Sequence, residues 1–254
     1  VKVPATVLEV LDRALTDGNR LTLTGTLDRK LYQDTAKVLE AAGGKWNRRA
    51  KAHLFDGDAA DAIETLILTG EITSRRQQFG YFPTPAPIVQ QLLTLARIEP
   101  GMRVLEPSAG HGAIALAGAD AGALVDCVEI QPDHAEKIRD AHHPDVTVLV
   151  ADFLTTSPQP VYDRVVMNPP FARQADIAHV EHAYTALRPG GLLAAVMSAG
   201  VTFRQTAAAV AFRARVESLG GTLHPLPEGA FRESGTGVNT VIAVLPKPAA
   251  SSAV

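Results

Sequence analysis

The sequence has a single cysteine, Cys127, which leaves no internal disulfide and no cysteine-based structural zinc site. A reducing cytoplasm is the expected compartment, and no metal is expected. A membrane helix needs about 20 apolar residues, and the longest apolar stretch, residues 190–201, falls well short of it. No basic segment followed by an apolar one opens the chain, so neither membrane spanning nor secretion is expected. Positive charge is also in short supply: the net charge of −3 excludes an overall basic nucleic-acid binder but not a local basic face. What is abundant is core material. With 46% hydrophobic and 20% charged residues, the chain has the composition of a folded protein rather than a disordered one.

The charge divides the chain. Residues 1–79 carry 12 Lys and Arg against 11 Asp and Glu, whereas residues 80–254 carry 12 against 16. In the first part, helical apolar spacing covers 3–15, 31–42 and 59–68, and strand patterns cover 21–27 and 46–55. This predicts a small α+β module over residues 1–76, ending in a polar linker around 71–78.

Residues 77–254 read differently. Short β-rich runs at 103–106, 124–129, 146–150, 163–167, 191–197, 222–226 and 238–244 alternate with helical stretches at 113–119, 133–141, 175–187 and 205–218, with 88–96 leading in. The alternation predicts an α/β fold, a doubly wound seven-stranded sheet. Residues 227–237 are too few for a helical crossover, so the last strand should return antiparallel. Residues 246–254 look like a disordered tail.

Two runs carry chemistry. The first spans residues 104–115, where Glu106, Ser108, Gly110 and Gly112 lie between a strand and a helix. The glycines let backbone amides approach a ligand at the helix N-terminus. Glu129 ends the next strand, where a carboxylate can take a ribose diol. This much fits a nucleoside-binding or a dinucleotide-binding loop.

The second run is Asn168, Pro169, Pro170 and Phe171, directly after an apolar strand. Two prolines hold the backbone extended and leave their carbonyls free to accept. The Asn168 side-chain oxygen and the Pro169 carbonyl then offer two acceptors to an NH₂ group, and Phe171 can stack on a flat ring. If the strand order reverses between the first and fourth strands, both runs open into one crevice.

Together, in this order and spacing, the two runs resemble class I S-adenosylmethionine-dependent methyltransferases, in particular the gamma arrangement of the enzymes that methylate adenine N6 in DNA. The resemblance covers about residues 79–245. It implies the class I methyltransferase fold and S-adenosylmethionine as cofactor. It further implies cofactor contacts from Phe82, Thr84, Pro85, Glu106, Ser108, Gly110, Gly112, Glu129, Ile130, Asp152, Phe153 and Asn168, and a catalytic turn of Asn168, Pro169, Pro170 and Phe171. One departure stands out. Those enzymes usually append a large target-recognition domain, whereas about 80 residues follow Phe171 here and the fold itself uses them.

The substrate-binding candidates lie elsewhere. Residues 45–53 gather Trp46, Arg48 and Arg49 with further cations, which suits phosphates and a stacked base; a solvated strand with Trp46 in a core is the structural alternative. Arg204, beyond the fifth strand, and Asn239, in a polar loop between the last two strands, are placed to meet a target base. The expectation is methyl transfer to an exocyclic amine, with a nucleic acid as partner, DNA favoured and RNA possible. A protein glutamine methyltransferase, an NAD-dependent oxidoreductase and a non-enzymatic DNA-binding module are the rival readings.

Overall fold

The computed structural model describes residues 3–55, 57–70, 83–234 and 237–250. The expected linker at 71–78 lies outside the described residues.

The N-terminal part is a small α+β module built from α1 (Ala5–Asp12), β1 (Leu15–Asp17), β2 (Arg20–Thr22), α2 (Arg29–Ala41), β3 (Lys45–Asn47), β4 (Ala52–Leu54) and α3 (Ala59–Thr69). Asp28 and Asp58 cap α2 and α3 by accepting backbone N–H bonds from Leu31 and Asp61, and Gly70 closes α3 in the left-handed region at φ 64°. The four strands form an antiparallel sheet in the order β1-β2-β4-β3. Leu11, Leu21, Leu39, Phe55 and Leu66 fill its core.

Both strand expectations for this module need correction. Instead of one strand at 21–27, the chain makes a β1–β2 hairpin that turns at Gly18, where φ is 54°. Instead of one strand at 46–55, β3 and β4 are separated by a turn, because Asn47 Oδ1 accepts the backbone N–H groups of Arg49 and Ala50 at 3.0 and 2.9 Å and Lys51 takes φ 50°.

The rest of the described chain alternates as the sequence predicts. Its elements are α4 (Ala86–Ala96), β5 (Arg103–Pro107), α5 (Ala113–Asp120), β6 (Leu124–Glu129), α6 (Pro132–Asp140), β7 (Val146–Val150), β8 (Tyr162–Met167), α7 (Ala175–Thr185), β9 (Leu187–Ser198), α8 (Gly200–Phe203), α9 (Ala207–Ser218), β10 (Thr222–Pro225) and β11 (Thr240–Pro246). The seven strands lie in the order β10-β11-β9-β8-β5-β6-β7, with β11 antiparallel to both neighbours. The apolar runs of β8 and β9 are buried on both faces, as central strands must be: Val165, Val166 and Met167 face helices on one side or the other, as do Leu193 to Met197. The order reverses at β5, which pairs in parallel with β6 on one side and β8 on the other. The ends of β5 and β8 therefore open into one crevice.

The expected tail is shorter than the sequence suggests. Pro246 pairs with Leu192 inside β11, and the Lys247 backbone exchanges hydrogen bonds with Gly190 and Gly191. Among the described residues, no helix is long and apolar enough to cross a membrane.

Candidate functional site

The glycine loop leaves β5 through Ser108, a non-glycine residue at φ 64°, and passes Gly110 and Gly112 at φ 57° and 81°. The last of these is tightly enclosed: a Cβ on Gly112 would stand 3.0 Å from Ile138 Cγ1. Ala109 N–H donates to the Val128 carbonyl at 3.0 Å, tying the loop to β6. The buried Glu129 carboxylate braces it further: Oε2 accepts Gly110 N–H at 2.6 Å and Oε1 accepts Gln131 N–H at 2.8 Å. Next to the sequence position of the loop, Glu106 is 2% exposed, and its Oε2 has no hydrogen-bond partner among the described residues. Burial, with Glu129 adding to it against the Ala115 backbone, pushes the Glu106 carboxyl well above its ordinary pKa. His111 stands 3.0 Å from Lys137 Nζ and edge-on to His134; burial first, then the Lys137 charge, keeps its pKa low.

At the end of β8, Asn168 donates an Nδ2–H bond to Thr84 Oγ1 at 3.1 Å. Its Oδ1 is buried and has no partner among the described residues. Pro169 is buried and Pro170 exposed, so the two prolines hold the turn from both sides. Phe171 is half-buried and packs against the apolar cluster that includes Phe231. The loop between β10 and β11 reaches the segment before α4, where Ser234 Oγ donates to the Pro83 carbonyl at 2.7 Å.

The other expected site residues lie on neighbouring segments. Ile130 is 60% exposed beyond β6, available as an apolar wall. Pro85 is the N-cap of α4, and Asp152 accepts Leu154 N–H at 3.0 Å at the start of a short 3-10 turn. Phe153 departs from the expectation: it is buried, with its ring against His179 and His182, so that ring belongs to the interior and does not present an open face. Phe82 lies outside the described residues.

Three further expectations concern the substrate side. Trp46 is half exposed, its ring 5.2 Å from that of His53, and so is not in a core; Arg48 and Arg49 are exposed on the adjoining turn. Arg204 is corrected. It is 4% exposed and committed within the protein, donating from Nε to Asp12 Oδ1 and from its terminal nitrogen to Glu64 Oε2, both at 2.7 Å. A buried guanidinium needs such counter-charges, and they leave it nothing to offer a substrate. Asn239 is likewise engaged through its backbone, which donates to the Leu68 carbonyl and accepts from Ala199 N–H.

The stretch 89–217 matches the family model of the methyltransferase small domain. The chain belongs to this family. The chain is 37% identical over 110 residues to an rRNA methyltransferase of Streptomyces thermotolerans, a match that covers 42% of this chain and 37% of that protein. It is 34% identical over 88 residues to an rRNA adenine N-6-methyltransferase of Saccharopolyspora erythraea, covering 34% of this chain and 23% of that protein. The matched stretch thus spans about a third or less of these relatives. The crystal structure of the 23S rRNA methyltransferase ErmE superposes with a TM-score of 0.52 at 21% identity, covering 67% of this chain and 70% of that one. That likeness fixes the fold as the class I methyltransferase fold.

The cofactor of this methyltransferase family member is S-adenosylmethionine, and the residues present fit it. The glycine loop lies so close to Ile138 that Gly112 has little room for a Cβ, and two buried oxygens at the ends of β5 and β8, Glu106 Oε2 and Asn168 Oδ1, have no partner among the described residues. Buried acceptors are rarely left so unless a ligand or water completes them.

Proposed function

We propose that this protein methylates the N6 amine of adenine in RNA. The observation that carries the reading is the buried Asn168 Oδ1, an acceptor without a partner among the described residues, at the end of the strand that pairs with β5. S-adenosylmethionine, when bound, supplies a methyl group activated on a sulfonium. The chain's own residues do the rest. Gly110 and Gly112 admit the cofactor beside the backbone, with Glu106 and Ser108 in the same loop, and Glu129 accepts from its ribose diol. Ile130 and Asp152 border its adenine, and Thr84 and Pro85 stand on the side of its amino-acid portion.

On the substrate side, Asn168 Oδ1 and the Pro169 carbonyl accept the two N–H bonds of the amine. That would aim the nitrogen lone pair at the methyl group the cofactor would supply, the new N–C bond forming as the donor's S–C bond breaks, and the surplus proton would leave to water. Phe171 stacks on the base, an interaction worth about 1–3 kcal/mol at single-stranded sites. Catalysis of this kind rests on positioning in a dry pocket and needs no strong base.

The choice of RNA over DNA is supported by the two curated relatives, both named for rRNA. The sequence motifs taken alone favour DNA. Trp46, Arg48 and Arg49 are proposed to meet the RNA outside the pocket. Arg20 helps to brace their turn, donating to the Ala50 carbonyl at 2.6 Å, so the cations are displayed on a fixed support. The test offers methyl-labelled cofactor to RNA, DNA and protein pools and analyses the digests by mass spectrometry. Labelled N6-methyladenosine from RNA is expected; label confined to DNA or to protein would overturn the choice of substrate.

A further inference from the structure

One residue beyond the Asn-Pro-Pro-Phe turn, two successive non-glycine residues adopt the left-handed conformation: Arg173 at φ 53°, ψ 32° and Gln174 at φ 60°, ψ 30°. A side chain rarely sits there, and a consecutive pair persists only when the surroundings over-determine it. Part of what holds this pair comes from the N-terminal module, more than 100 residues away in sequence. Glu64 Oε1, on α3, accepts Arg173 N–H at 3.0 Å, and Asp61 Oδ1, one turn earlier on the same helix, accepts from the Arg173 guanidinium at 2.7 Å. Gln174 is held in turn by the Thr206 hydroxyl, which donates to its Oε1 at 2.6 Å.

The same carboxylates reach a second segment beside the turn. Glu64 Oε2 takes the terminal nitrogen of Arg204, and Asp12 on α1 receives Arg204 Nε through Oδ1 and Gln205 N–H through Oδ2 at 2.9 Å. Glu64 thus joins the exit of the turn to the segment between α8 and α9, and the Thr206–Gln174 bond closes the link from the other side. Between Asn168 and Arg173 lie two prolines with fixed φ, the packed Phe171, and Ala172. A shift at Arg173 therefore passes to Asn168 with little slack.

We infer that the N-terminal module is a working part of the catalytic site, with Glu64 as a positioning residue that, aided by Asp61 and Asp12, holds the left-handed exit of the turn and so sets where the amine acceptor stands. This rests on reading Asn168 as that acceptor. The carboxylates touch neither the amine nor the cofactor, and they act through the backbone of the turn. The family match begins at residue 89 and assigns the module no role.

The test uses the full chain carrying Glu64→Gln. A glutamine keeps one oxygen but sets an NH₂ group where Oε2 or Oε1 accepted, so either the short bond from Arg204 or the Arg173 N–H bond becomes a donor–donor contact, and the negative charge that Arg204 pairs with is gone. Hydrogen exchange by mass spectrometry should quicken by about fivefold or more in the peptide spanning 168–176 and stay unchanged across the glycine loop. S-adenosylhomocysteine affinity should hold within about twofold while single-turnover transfer to RNA slows about tenfold. Arg173→Gly added to that variant should recover much of the rate, since glycine takes the left-handed conformation without strain. Unchanged exchange at 168–176, rate and affinity falling together, or no recovery with glycine would each overturn the inference. If Glu64→Gln fails to fold, Asp61→Asn, at a partly exposed pair, is judged by the same signature at smaller size. If the wild-type chain transfers no methyl group to RNA, the failure is that of the proposed function, and the exchange measurement still judges the clamp.

Discussion

Asn168 gives its amide N–H to the Thr84 hydroxyl, a bond that leaves the side-chain oxygen over. With the nitrogen occupied, the oxygen has no partner among the described residues although it is buried. Burying a carbonyl oxygen without a partner costs about 1–3 kcal/mol, a cost that a substrate N–H would remove. Thr84 lies 84 residues earlier in the chain, just before α4. The segment that enters the domain therefore orients the side chain proposed to receive the amine.

Glu129 has two duties. It is proposed to hold the ribose, and it already accepts Gly110 N–H and Gln131 N–H. Glu129→Ala strands both donors as well as the diol, so S-adenosylhomocysteine affinity is expected to fall by at least about tenfold, since each unsatisfied buried group costs about 1–3 kcal/mol. Glu129→Gln keeps a carbonyl oxygen for one donor and should fall between. Calorimetric titration of both variants checks this order, and equal affinities would refute the assignment.

The exposed turn at 48–51 makes a prediction about salt. Changing Arg48 and Arg49 together to Ala should weaken RNA binding at low ionic strength and make the log–log salt slope shallower by about 1.4, the value for two phosphate contacts on a single strand. Affinity for S-adenosylhomocysteine should not move. Fluorescence anisotropy over a salt series measures the slope, and an unaltered slope would return the turn to a purely structural role.

Asp176 gives the stability a pH signature. It is 1% exposed at the start of α7, accepting Ser198 N–H through Oδ2 and Ile177 N–H through Oδ1. Burial outweighs these bonds and the nearby Arg204 charge, with Glu64 adding to it, and raises its pKa from 3.8 to about 7. Because the folded state holds this proton more tightly than the unfolded chain does, the contribution is full below about 3.8 and is lost as the pH climbs to about 7. Glu106 acts in the same direction, whereas His53, His111 and His179, whose pKa values are lowered, act in the opposite one. The informative quantity is therefore a difference between proteins. From about pH 5 to pH 8, the unfolding midpoint of the wild type should fall by more, or rise by less, than that of Asp176→Asn. Parallel curves in calorimetry would contradict the assignment.

Most of the sheet was legible because its central strands are buried on both faces and read as continuous apolar runs, as at Val165 to Met167 and Leu193 to Met197. The module was read less well. Its strands are three residues each, too short for an alternating pattern, and its hairpins depend on Gly18 and on the Asn47 side chain folding back on its own backbone. Gly110, Gly112 and Asn168 stand out in the sequence because each lies in a short local motif after a strand, although Glu129, Ile138 and Thr84, which pack or bond against them, lie elsewhere in the chain. Arg204 could not. Its partners Asp12 and Glu64 lie 192 and 140 residues away, so a guanidinium that looks free in the sequence is neutralised only after folding. Asp61 and Glu64 carried no local signal either: on α3 they look like ordinary surface acids until the exit of the catalytic turn packs against them. The burial of Phe153 is hidden for a related reason, since an aromatic in the short turn after β7 gives no sign in the sequence of whether α7 will cover it.

The central claim is that the Asn168 oxygen receives the amine. Asn168→Ala tests it most directly, with single-turnover methyl transfer to RNA and S-adenosylhomocysteine affinity measured on the same preparation. The account predicts affinity within about twofold of wild type and a rate lower by about 10²-fold or more, because the amine is no longer aimed. Transfer at the wild-type rate, with the cofactor bound normally, would contradict it.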